Sequence, residues 1–152
     1  MVLCSLVPIG VMAQNLMDER IREITGSKKS VFLQGGIFHG GKMEVKSTLK
    51  SVRQSFTPSN GQERLVFDLT SDGLPKIYGH LNPNEKKLYL DFFSTGIAPG
   101  FTPLSTGKFI KGVDFFQITQ DALTIEITFN QAIGIDVFYL TAPSRLVIDL
   151  KN

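Results

Sequence analysis

Apolar and polar residues alternate without a break in RLVFDLT, where Leu65, Phe67 and Leu69 fall on one side and Val66, Asp68 and Thr70 on the other. The same pattern recurs in ALTIEITF, with Leu123, Ile125, Ile127 and Phe129 set against Thr124, Glu126 and Thr128. A period of two puts each set on one face of an extended chain, so both segments are predicted as strands with one buried and one outward face. From Met43 onward, short runs of Phe, Ile, Val, Leu and Thr are separated by PSNG, SDGLP, NPNE and APS. Gly, Asn and Asp tolerate positive φ and Pro fixes it, so these separators are turns. The pattern predicts an all-β domain over 43–152.

Upstream the periodicity changes. NLMDERIREITG places Leu16, Met17, Ile21 and Ile24 on one side at helical spacing and stops at Gly26, which predicts a short N-terminal helix followed by a linker, over 14–42. The run SKKSVFLQGGIFHGGK carries two Gly pairs and reads as one or two short strands with a flexible turn; no Gly-Lys-Ser or Gly-Lys-Thr follows to make a phosphate loop. Over 43–56 two readings stay open. Val45, Leu49, Val52 and Phe56 fit a helix, and they also fit a strand if a bulge between Leu49 and Val52 turns both inward.

Sliding the chain along itself exposes a repeat. At a shift of 58 positions Leu65 falls on Leu123, Asp68 on Glu126, Ile77 on Ile135, Lys87 on Arg145, Leu88 on Leu146, Leu90 on Ile148 and Asp91 on Asp149, with no gap. Leu49 falls on Ile110 once a longer turn is absorbed, which favours the strand reading of 43–56. The expectation is a β-sandwich of two roughly four-stranded sheets, one from each copy of an internal duplication, shut against each other by their apolar faces.

Composition narrows the chemistry. Sixteen basic residues against fourteen acidic ones, scattered rather than clustered, make nucleic acid an unfavourable partner. The opening MVLCSLVPIGVMAQN is uncharged and apolar as far as Ala13, with Val11 and Ala13 small at the positions before a cleavage bond, and is read as the remnant of a secretory signal peptide over 1–13. Its missing basic start points to a start codon assigned too late; the competing reading is a native buried segment. Cys4, the one cysteine, lies inside it, so an exported product carries no disulfide. No other apolar stretch approaches the roughly 18 residues of a membrane span.

The segments GKFIKGVDFF, ALTIEITFN and YLTAPSRLVIDLKN, with Pro143 two residues before an Arg-Leu-Val-Ile-Asp-Leu strand, resemble the AMIN domain of bacterial cell envelopes. The likeness covers about 43–152. It implies a periplasmic β-sandwich that binds peptidoglycan and localises what it is attached to, as such modules do in N-acetylmuramoyl-L-alanine amidases and type IV pilus secretins. The given sequence holds neither an amidase zinc site nor a secretin barrel, so the expectation is a non-catalytic module acting alone or through an envelope amidase or a pilus or secretion protein. The alternative is a protein-interaction module docking by an exposed strand edge.

The residues themselves offer little catalysis. His39 and His80 stand far apart with no His-Glu motif, no Gly-x-Ser-x-Gly is present, and neither a metal nor a cofactor is expected. Asp68, Asp91, Glu126 and Asp149 suit solubilising charges better than a glycosidase pair. For peptidoglycan, with its hydroxyls, amides and carboxylates, the candidates are outward residues of the two sibling strands: Lys87, Tyr89, Asp91 and Phe93 in one, Arg145 and Asp149 in the other. The competing reading makes the two Asp residues structural partners of turns or bases, and buries Tyr89 and Phe93 in a second core under the N-terminal helix.

Overall fold

A computed structural model describes residues 21–152, which form twelve strands and no helix. They are β1 (Ile21–Glu23), β2 (Val31–Leu33), β3 (Gly36–Gly40), β4 (Ser47–Thr57), β5 (Gln62–Leu69), β6 (Ile77–Asn82), β7 (Lys87–Phe93), β8 (Thr95–Ile97), β9 (Ile110–Thr119), β10 (Ala122–Phe129), β11 (Gly134–Leu140) and β12 (Arg145–Lys151). One six-stranded sheet runs β1-β3-β6-β7-β10-β9 and the other β2-β11-β12-β5-β4-β8. Both are mixed, antiparallel except for the β1–β3 and β4–β8 pairs.

The alternation read from sequence sets the core. Leu65, Phe67 and Leu69 of the second sheet and Leu88, Leu90, Phe92, Leu123, Ile125 and Ile127 of the first are buried in one apolar cluster. The Phe67 and Phe92 rings meet 5.9 Å apart, across the two layers. Removing these faces from water is worth roughly 1.5–3 kcal/mol per large side chain, and this dominates the driving force for a sandwich-like pairing of sheets.

The assignment of sheets to halves needs correction. Each half was expected to make its own four-stranded sheet, but each sheet has six strands and takes two from each half. In the first, β6 and β7 join β10 and β9; in the second, β11 and β12 join β5 and β4. Strands at matching sequence positions thus occupy matching places in opposite sheets. The seams β7–β10 and β12–β5 are long antiparallel ladders, so neither sheet is complete without both halves.

The N-terminal region also departs from expectation. Ile21–Glu23 is a strand parallel to β3, not the end of a helix, and Ile24 is buried against the core. Three residues of helical spacing were outweighed by ladder hydrogen bonds to β3, tertiary pairing overriding a weak local signal. The rest of that helix and the leader over 1–13 lie outside the described residues. The Gly pairs bound β3: Gly40 lies under the Ile24 side chain, and Gly41, at φ +74°, passes so close to the Pro75 carbonyl that no Cβ fits. Residues 21–42 therefore supply three strands to the two sheets.

Over 43–56 the strand prevails. The ladder of β4 with β5 slips by one residue between Leu49 and Ser51, and this bulge lets Leu49, Val52 and Phe56 all pack on the core.

Candidate functional site

The outer face of the first sheet is a grid set by strand register. One row runs Ile37, His80, Tyr89, Glu126, Asp114; the next runs His39, Tyr78, Asp91, Thr124, Phe116. Directly opposed residues lie within about 5 Å at Cβ, so the side chains touch in rows. His80 stacks on Tyr89 with centroids 6.1 Å apart, His39 lies 5.8 Å from Tyr78, and Tyr78 meets Phe93 edge-on at 6.0 Å. Lys76 sits over the Tyr78 ring at 5.1 Å. Tyr78 is 43% exposed and Phe116 45%, while Tyr89 and Phe93 are half-buried, so among the described residues this face carries exposed aromatic rings.

The polar groups on this face are held in place. Asp91 accepts a hydrogen bond from the Thr124 hydroxyl at 2.7 Å, and Lys87 pairs with Glu126. The Tyr89 hydroxyl donates to the Glu85 carboxylate, which raises its pKa because the neutral phenol is the donor. The Glu126 carboxylate likewise raises the Lys87 pKa. A shallow hollow of about 210 Å³ opens between Ile37, Tyr78, His80, Tyr89 and Asp91.

The outer face of the second sheet is different in kind. Its rows are Leu140, Arg145, Asp68, Ser51; then Phe138, Val147, Val66, Arg53; then Asp136, Asp149, Arg64, Ser55. Arg53 grips Asp68 with both ends of its fork at 2.6 and 2.8 Å, Arg64 grips Asp149 at 2.7 and 2.9 Å, and Lys151 pairs with Asp136. Arg64 also lies over the Phe138 ring at 5.7 Å. This lattice of base and acid buries part of an outward face: Val147 is only 2% exposed and Asp149 5%.

The six candidate residues therefore divide. Lys87, Tyr89, Asp91 and Phe93 stand together on the first sheet, whereas Arg145 and Asp149 lie on the second, facing the opposite way. Asp149, expected as an open outward acceptor, is closed by Arg64 of β5. Asp91 and Glu126 share one face and Asp68 and Asp149 the other, so the four carboxylates do not converge.

Sequence reasoning missed Tyr78 and His80, the neighbours that complete the aromatic grid. The signal was present in IYGHL, where Ile77 and Leu81 point inward and Tyr78 and His80 outward. Gly79 hides the alternation because its inward slot is filled by the ring of Phe38. Glu63 was also missed. It is fully buried and accepts hydrogen bonds from Gln54 Nε2 at 2.8 Å and from the backbone N–H groups of Lys108 and Phe109.

Asp68 yields a pH prediction. Burial opposes its charge, but hydrogen bonds from Arg53 and Ser51, with the charges of Arg53 and Arg145, outweigh burial and hold its pKa below the ordinary value. A depressed carboxylate contributes stability that is complete above the unfolded pKa near 4 and fades as pH falls through the lower folded one. In urea melts, the advantage of the native protein over Asp68→Asn should be constant from about pH 7 to 5 and shrink below about pH 4.

The chain matches no model of a known protein family and no curated protein at a significant level.

Proposed function

We propose that the protein is a non-catalytic module of the bacterial cell envelope, similar to an AMIN domain, that binds peptidoglycan through the outer face of the first sheet. The carrying observation is the grid of Tyr78, His80, Tyr89 and Asp91 around a shallow hollow. Aromatic planes suit the apolar faces of sugar rings, and Asp91 offers an acceptor to hydroxyls or amides. Export to the periplasm and localisation of an envelope amidase or a pilus or secretion protein belong to the same reading. So does an internal duplication, supported by the matching places of β4–β7 and β9–β12 in opposite sheets.

Co-sedimentation with purified sacculi at moderate salt tests it. The protein should be retained above a charge-matched control, and Tyr78→Ala with Tyr89→Ala should weaken retention about tenfold. Arg53→Ala, on the other face, should leave it unchanged. Retention equal to the control, or insensitive to the tyrosines, counts against this reading.

A second reading, docking of an extended partner segment, rests on β9. Among the described residues this strand pairs only with β10, which leaves its other edge without a ladder partner there, and it carries Phe116 and, at 65% exposure, Ile118. It predicts a protein crosslinked through β9 in cells and indifference to sacculi.

A further inference from the structure

Beyond the aromatic face, a larger cleft of about 650 Å³ lies at the far corner of the second sheet. Its wall is the turn after β1, tied to β11 by the Tyr139 N–H donating to the Thr25 carbonyl at 3.2 Å and by a parallel bridge between Gly26 and Tyr139. Lys28 and Lys29 project from that turn, and Arg145 closes the opposite side. Every charged residue lining the cleft is basic.

Arg145 is the informative member. Directly opposite it on β5 stands Asp68, but Arg53 and Ser51 already occupy both carboxylate oxygens. Asp149 is held by Arg64 and Asp136 by Lys151, so Arg145 joins none of the ion pairs among the described residues. Its Nε is shut away from solvent and has no hydrogen-bond partner among the described residues. With Nε enclosed, the guanidinium is held in place and its terminal nitrogens, which make no hydrogen bond among the described residues, are the donors an incoming acceptor can reach.

We infer that this cleft is a second binding site, taking a ligand that ends in a carboxylate, with the Arg145 fork on its oxygens and Lys28 and Lys29 adding charge. A planar carboxylate matches the guanidinium edge in two parallel bonds. The hydroxyls of Thr25 and Ser27 and the body of Tyr139 suit a short peptide behind that group. The site faces away from Tyr78 and Tyr89 and does not depend on what the aromatic face binds.

The test is an amide-resolved NMR titration of the intact protein with N-acetyl-alanyl-alanine as the free acid and as its C-terminal amide. The acid should shift resonances of residues 25–29 and 139–145, and the amide should bind about tenfold or more weakly. Arg145→Gln should weaken the acid by a similar factor. Because that substitution touches a partly buried site, the exposed pair Lys28→Ala with Lys29→Ala provides a second reading and should also weaken the acid, while Tyr78→Ala should not. Acid and amide binding alike, shifts absent from the cleft, or both basic variants leaving affinity intact would overturn the assignment. Inorganic phosphate displacing the acid at lower concentration would overturn it in favour of a phosphate site.

Discussion

Divided in the Gly/Pro-rich segment ahead of Pro103 and expressed as separate polypeptides 1–102 and 103–152, the chain will give two unfolded fragments that regain structure only when mixed. The reason lies in the seams. Without β9–β12, β7 loses its β10 neighbour and β5 loses β12, leaving an unpaired ladder edge in each sheet. The inner faces open too, since Leu123, Ile125, Ile127, Leu146, Ile148 and Leu150 cover Leu65, Phe67, Leu88 and Leu90 from within the same cluster. At roughly 1.5–3 kcal/mol for each buried side chain, losing six removes about 9–18 kcal/mol, as much as the whole stability of about 5–15 kcal/mol expected for a domain of this size. Circular dichroism and amide dispersion of each fragment and of their equimolar mixture provide the check. A cooperative melt from either fragment alone would refute the interlocked arrangement.

That arrangement marks the boundary of what the sequence made legible. Periodicity reports which side of a strand meets the core, and it did so for RLVFDLT, ALTIEITF and KLYLDFF, because burial acts on each residue separately. It also allowed for the bulge in β4, since only a slipped register brings Leu49 and Val52 to the same face. Periodicity does not report which strand lies beside which. Hairpins of two similar halves can pair within a half or exchange, and both choices bury the same residues. The ladders alone distinguish them.

Lys87 and Arg145, or Asp91 and Asp149, are matched by the 58-position shift. In the fold the shift exchanges the sheets, so matched outward residues are carried to opposite faces. Similar strands then acquire different environments from their neighbours: β7 stands beside Tyr78 and His80 of β6, whereas β12 stands beside Arg64 of β5 and Phe138 of β11. One face became aromatic and open. The other became an ion-pair lattice that does not include Arg145.

Glu63→Ala is expected to be the most damaging single polar substitution, costing about 3 kcal/mol or more. Glu63 lies on β5 in the second sheet, yet its acceptors are turned to the backbone of Lys108 and Phe109 at the entry to β9 in the first. Truncation leaves two backbone donors and the Gln54 amide without their acceptor, the Phe109 N–H in a buried place and the other two in partly buried ones, and each such loss costs about 1–3 kcal/mol. The fit is close enough that a Cβ on Gly107 would stand 2.8 Å from the Glu63 carboxylate, so no bulkier loop residue substitutes for the contact. Phe109, edge-on to Phe56 at 6.3 Å, depends on the same anchorage. Glu63→Gln separates this account from simple packing: the amide keeps the volume and one acceptor oxygen but presents N–H to a backbone donor, so its loss should fall between wild type and alanine. Chemical denaturation of the three proteins, with hydrogen exchange at Lys108 and Phe109, measures both effects. Equal stability of Glu63→Gln and wild type, with Glu63→Ala costing less than about 1 kcal/mol, would show that the link between the sheets does not depend on this carboxyl group.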